Sequence, residues 1–277
     1  MRAPRGLRAR ASGRRDDASR GVAPAFASRA VLFALVVSSG TAAADERRSG
    51  FELMTPQTQA LQRDDTLNPA MLWVKDGQAR WSEPAGAARR SCADCHGDAS
   101  RSMRGVAARH PAFDAVLNKP LTLAGRIEAC RQRHQQAAPL GWESDALLAL
   151  EAYVGLASRG LPVAPPDDER LHPWRQRGQR LFASRQGQLD LSCAICHDTL
   201  AGRRLGSSPI PQAHPTGYPI YRLEWQALGS LQRRLRNCFA GVRAVVPPFG
   251  DDDLVALELY LMQRAAGLPL ETPGVRP

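Results

Sequence analysis

A chain of 277 residues is long enough for about two domains. Its formal charge of +10 would point to nucleic acid or an acidic membrane surface, but residues 1–44 hold eight Arg, two Asp and no Lys or Glu. That stretch alone carries +6, which leaves about +4 for the rest and removes the main support for nucleic-acid binding.

Residues 1–44 read as a cleaved secretory signal. A basic segment ends at Arg29, an apolar run follows from Ala30 to Val37, and Ala42-Ala43-Ala44 gives an A-x-A cleavage site before Asp45. The run is too short to span a bilayer, so it predicts export to the periplasm without a membrane anchor. Arg14-Arg15 is followed by Asp16 and Asp17, which does not suit a twin-arginine signal.

From Asp45 a polar segment leads to a helix beginning near Leu67, with Met71, Leu72, Val74 and Trp81 as its apolar positions. It runs through Gly77 toward Cys92-Ala93-Asp94-Cys95-His96. This is a C-x-x-C-H haem c attachment sequence, in which two thiols add to the haem vinyl groups and the histidine supplies an iron ligand. A second copy, Cys193-Ala194-Ile195-Cys196-His197, lies 101 residues downstream, and Gly77 and Gly178 each precede their first cysteine by 15 residues. Trp81 matches Phe182 in the same alignment. The chain is therefore expected to carry two covalently bound haem c groups, attached through Cys92, Cys95, Cys193 and Cys196, with His96 and His197 on the irons. Four ionised propionates would bring the holoprotein close to neutral.

Each motif is followed by a closing helix. Ser144 to Tyr153 pairs with Asp251 to Tyr260 at a constant offset of 107. Both open on an N-cap residue with acids in the first turn, and both stop at Gly-Leu-Pro: Gly160-Leu161-Pro162 and Gly267-Leu268-Pro269. The pattern predicts an all-α fold: two class I cytochrome c-like domains related by an internal repeat, each enclosing one haem, over 45–165 and 166–277. Val163 to Asp168, with Pro165-Pro166, forms a short stiff connection.

Haem iron takes a sixth ligand or leaves that position open. The ordinary candidates are few: Met103, only seven residues past His96; His110 after a basic loop; His134; His214 in a Pro-rich loop; and Met262, whose periodicity says core packing. Of the six cysteines four are consumed by thioethers, which leaves Cys130 and Cys238. Leu123, Arg126, Ile127 and Cys130 align with Leu231, Arg234, Leu235 and Cys238, so each cysteine ends a predicted helix with an Arg one turn earlier on the same face. A disulfide between the two and inert buried thiols are competing readings. Equivalent positions in separate domains favour thiolate ligation at both irons instead.

The paired motifs, the distal cysteines, Trp225 to Arg234 before Cys238, and the ending from Leu257 to Tyr260 through Glu271-Thr272-Pro273 to Val275-Arg276-Pro277 resemble the SoxA family of the periplasmic sulfur-oxidising system. The resemblance implies L-cysteine S-thiosulfotransferase activity. In it, thiosulfate is oxidatively joined to a cysteine of the carrier SoxYZ as an S-thiosulfonate, and two electrons pass to cytochrome c. It implies that His197 and Cys238 ligate the haem where chemistry occurs, that Cys238 can carry a persulfide, and that Arg234 is a basic active-site residue. His96 and Cys130 would ligate the other haem, and a SoxX-type monohaem cytochrome would complete a heterodimer.

The residues agree with that chemistry. An Arg fork suits a dianion, and Arg234, with Arg243 nearby, could hold thiosulfate beside the Cys238 sulfur. The bland alternative for Arg234 is a solvated helix face, given Arg233 and Arg236. Arg126 repeats the spacing without an implied catalytic role. Two other readings compete: a dihaem c-type electron carrier without a bond-making role, and a peroxidase-like enzyme with an open iron position near His214.

Overall fold

The computed structural model describes residues 46–277, which form one compact unit. The expected signal segment lies outside the described residues. Among these the helices are α1 (Pro56–Arg63), α2 (Met71–Ser82), α3 (Cys92–His96), α4 (Ala99–Ser102), α5 (Leu123–Cys130), α6 (Asp145–Leu156), α7 (His172–Ala183), α8 (Leu231–Gly241) and α9 (Asp252–Arg264). None is long and apolar enough to cross a membrane.

The core is organised on two crossing pairs, α2 on α6 and α7 on α9. Each crosses at a glycine: a Cβ on Gly77 would stand 2.1 Å from the Ala149 carbonyl oxygen, and one on Gly178 2.1 Å from that of Ala256. The backbones touch there, which accounts for glycine inside a helix despite a propensity cost of about 1 kcal/mol. One turn on, an aromatic ring packs against a tyrosine of the facing helix, Trp81 on Tyr153 at 5.9 Å and Phe182 on Tyr260 at 5.4 Å. Val74 and Trp81 are buried as expected, but Leu72 is 69% exposed because it lies two residues from Val74, on the opposite face of α2.

The closing helices are capped as their sequence predicts. Ser144 Oγ accepts from the Leu147 amide at 3.2 Å, and Asp251 Oδ1 accepts from Asp253 at 2.8 Å. Both chains leave through a left-handed glycine, Gly160 (φ 79°) and Gly267 (φ 87°). The two exits are bonded to each other: the Gly160 amide donates to the Leu270 carbonyl and the Gly267 amide to that of Val163, each at 2.8 Å. The connection expected over Val163–Asp168 thus begins in the core, with Val163 2% exposed.

The all-α expectation needs correction, because short strands are present, all but one of them between the haem motifs and the distal helices. β1 (Ala112–Asp114) pairs antiparallel with β2 (Lys119–Leu121), and β3 (Arg204–Leu205) with β4 (Ser208–Pro209). β5 (Ile220–Arg222) pairs antiparallel with β6 (Ala227–Gly229) and parallel with β7 (Gly274–Arg276). Strands of two or three residues carry no readable alternation, and their turns rest on left-handed residues such as Asn118 (φ 52°) and Gln226 (φ 50°). The hairpins share one register, Ala112 opposite Leu121 and Ile220 opposite Gly229. Each leads directly into a capped helix: Thr122 Oγ1 accepts from Gly125 at the start of α5, and Ser230 Oγ from Arg233 at the start of α8.

Candidate functional site

The haem motifs sit on tight helical turns. Ser91 and Asp94 form a reciprocal capping box around α3, with the Asp94 amide donating to Ser91 Oγ at 3.1 Å and the Ser91 amide to Asp94 Oδ2 at 2.7 Å. In the second motif Ser192 Oγ accepts from Ile195 at 3.2 Å. Cysteines three apart on such a turn share one face, as two thioether bonds to one porphyrin edge require.

His197 has one ring nitrogen fixed and the other left as a lone-pair donor. Its Nδ1 lies 2.6 Å from the Pro211 carbonyl oxygen, so Nδ1–H donates there and Nε2 keeps its lone pair. Burial, with the charges of Arg234 and Arg264, lowers its pKa and keeps the ring neutral. His96 is exposed and stacks on Trp81 at 5.8 Å.

Both remaining cysteines face the attachment thiols of their own half. Burial raises the Cys92 thiol, and Cys130 adds to the rise; Cys193 is pushed up to about 11 by burial, with Cys238 adding. All six thiols are free, so Cys130 and Cys238 are not joined. In each half, two motif thiols, an imidazole and a further thiol near the motif pair form a donor set that would fit a covalently held haem c. Of the ordinary sixth-ligand candidates, the two methionines pack in the core, His134 is exposed, and His110 lines an interior cavity between the halves. Met103 packs with Trp81, Leu123 and Val154, and Met262 with Val163 and Leu270. His110 Nδ1 meets the Val106 carbonyl at 2.9 Å, His214 Nδ1 meets that of Arg48 at 2.7 Å, and His134 is exposed.

The two distal sites differ in charge. In the first, Asp114 is 2% exposed and binds two guanidinium groups: Arg126 Nη1 at 2.5 Å, and Arg133 through Nη1 at 2.7 Å and Nη2 at 2.9 Å. Those bonds, Arg133's above all, hold its carboxyl well below the usual range. Arg126 is therefore consumed by a structural ion pair. At the second site Arg222 takes the strand position of Asp114, at the end of β5 as Asp114 ends β1. No carboxylate binds Arg234, the counterpart of Arg126, among the described residues.

Arg234 stands instead among Cys238, His197, Tyr218 and Arg222. Burial and then the charge of Arg234 lower the Arg222 pKa, the mark of two cations held close. Arg222 pairs with Glu224 at 2.8 Å, but its Nε is buried without a partner. The neighbouring arginines are occupied: Arg233 lies over Trp225 at 4.1 Å, and Arg236 lies over Phe249 at 4.1 Å and donates to the Pro247 carbonyl at 2.6 Å. Arg243 is exposed in the turn after α8. The second distal site is thus a cluster of cations beside a thiol, suited to a small sulfur oxyanion. Sequence reading passed over Arg222, Asp114 and Tyr218. The signal available was the offset of 108 that aligns Cys130 with Cys238, which sets Asp114 against Arg222.

Comparison with known proteins gives concordant results. Residues 76–163 match the family described as SoxA/TsdA, cytochrome c domain. The chain is 36% identical to the L-cysteine S-thiosulfotransferase subunit SoxA of Pseudaminobacter salicylatoxidans, over 84% of this chain and 82% of that protein. It is 33% identical to the subunit of the same name from Paracoccus pantotrophus, over 82% and 78%. The crystal structure of SoxXA from P. pantotrophus superposes with a TM-score of 0.80 at 33% identity, covering 83% of this chain and 87% of that one.

Proposed function

The chain belongs to the SoxA family, and from that premise we propose that it is an L-cysteine S-thiosulfotransferase subunit whose chemistry takes place at Cys238. The supporting observation is the unpaired Arg234 beside Cys238, with Arg222 where the other half has an acid. The fold is that of cytochrome c. Its finer division is two cytochrome c-like domains, 45–165 and 166–277, each holding one haem c. Cys92, Cys95, His96 and Cys130 would hold the first haem, and Cys193, Cys196, His197 and Cys238 the second. When bound, haem c accepts and passes on electrons one at a time.

The chain's own residues supply the rest. Arg234 and Arg222 hold the sulfonate end of thiosulfate, which turns its outer sulfur toward Cys238. Bond formation between that sulfur and the Cys238 thiolate releases two electrons: Cys–S⁻ + S₂O₃²⁻ gives Cys–S–S–SO₃⁻ + 2 e⁻. A thiolate of the carrier SoxYZ then attacks the middle sulfur and leaves as carrier–S–S–SO₃⁻, restoring Cys238. Tyr218 walls the site, and burial with the nearby Cys238 charge raises its hydroxyl pKa, so it stays protonated as a hydrogen-bond donor. At the first distal site Asp114 occupies both guanidinium groups, which supports a role for Cys130 in ligation alone. A SoxX-type monohaem cytochrome as heterodimeric partner and a periplasmic location complete the reading; the A-x-A site at Ala42–Ala44 supports the location.

Arg234→Gln tests it. The expected result is a fall of about 10- to 100-fold in kcat/KM for thiosulfate, one charged hydrogen bond's worth, with unchanged haem spectra. Unchanged kcat/KM would remove Arg234 from the site.

A further inference from the structure

Between the two helix pairs lies a cavity of about 50 Å³ whose wall is drawn from both halves of the chain. Many of its polar residues come in matched pairs: Glu151 of α6 with Glu258 of α9, and His110 with Tyr218, each of which precedes a proline. The volume admits about three water molecules. Several buried polar atoms around it lack a partner: Glu151 Oε2, His110 Nε2 and Gln232 Nε2. Gln232 is 2% exposed, and its Oε1 is used by the Gly250 amide at 2.8 Å, so its Nε2 is turned toward Glu258. The unpartnered Glu151 Oε2 and His110 Nε2 on one small polar cavity call for bound water or a shared proton.

We propose that this cavity is a redox-linked proton site, in which Glu151 and Glu258 hold protons around a cluster of internal water and exchange one as electrons enter or leave the protein. The proposal goes beyond the chemistry at Cys238 and stands whether or not Cys238 carries sulfur. Burial pushes both carboxyl groups up to about 8, and no cation among the described residues stabilises the charge of either. Glu151 faces Glu258 and Glu143, which raise it further; Glu258 faces the Gln232 amide. Glu143 is itself raised by burial and moderated by Ser230, Arg233 and Arg236. At one end His110, lowered to about 4 chiefly by burial, stays neutral near Arg109 and Arg126; at the other, Tyr218 meets Arg222, Arg234, Arg276 and Cys238. The cavity is thus lined by one residue that feels the charges of the first distal region and one that feels those of the second. An electron arriving near either end favours the neutral acid, so the exchange is carboxylate + H⁺ → carboxylic acid on reduction, reversed on oxidation.

Redox-poised infrared difference spectra of the holoprotein with its haem partner test this. A protonated-carboxyl C=O band is expected at neutral pH. It should shift in deuterated buffer, change between oxidised and reduced states, and titrate away around pH 8. Glu151→Gln and Glu258→Gln should each remove one acid's share and flatten the pH dependence of the midpoint potentials. Absence of the band in the wild type, a band insensitive to redox state, or a band retained in full by both variants would overturn the proposal. The wild-type titration decides even where a variant fails to fold.

Discussion

Arg222→Asp should rebuild the first distal site in the second. Because β1 and β5 share one register with their hairpin partners, an aspartate at position 222 stands where Asp114 stands, one helix away from the arginine it would capture. In the first site that geometry gives an Arg126–Asp114 contact of 2.5 Å. The substitution removes one anion donor and ties up Arg234, the second. Hydrogen bonds to charged groups contribute about 1.5–3 kcal/mol each, so losing both costs about 3–6 kcal/mol, or about 10²- to 10⁴-fold in kcat/KM. Arg222→Gln removes only the first and should cost about 10- to 100-fold. Steady-state thiosulfate oxidation with the carrier and haem partner, read as kcat/KM at varied thiosulfate, separates the two. Arg222→Asp performing as well as Arg222→Gln would refute the idea that an unpaired Arg234 makes the site.

Gly77→Ala and Gly178→Ala should each destabilise the fold by about 1–3 kcal/mol or more, since the new methyl would stand 2.1 Å from a backbone oxygen; thermal melting with intact haem content checks this. Asp114→Asn strips the counter-charge from Arg126 and Arg133, each with side chains about a quarter to a third exposed, and should cost about 3 kcal/mol in denaturant unfolding while leaving thiosulfate kinetics near wild type. Glu151 and Glu258 have folded-state pKa values raised from 4.5 to about 8. Their contribution to stability is therefore fully present below pH 4.5 and is lost as pH rises toward 8. Glu258→Gln should flatten that decline in melting temperature, and an unchanged slope would show that the acid is not held neutral.

The parts of this fold that the sequence announces are those with chemical or periodic necessity. Thioether attachment fixes the spacing of Cys92, Cys95 and His96, and Gly77 and Gly178 mark helix crossings because nothing larger fits. Leu72 shows the limit: Met71, Leu72 and Val74 do not by themselves say which face is buried. The hairpins escape because three residues hold no period. The difference between the distal sites hides for another reason, since it consists of one carboxylate at position 114 whose counterpart is Arg222, and only strand register brings either beside its arginine. Glu151 and Glu258 look like ordinary polar positions of amphipathic helices. Their burial comes from the meeting of two helix pairs, which a single helix cannot reveal.

The central assignment is tested most directly by Cys238→Ala assayed beside Cys130→Ala, each with haem content verified. The account predicts that thiosulfate-dependent turnover with the carrier is abolished by Cys238→Ala and survives Cys130→Ala. Full activity of Cys238→Ala, or equal loss in both variants, would contradict it.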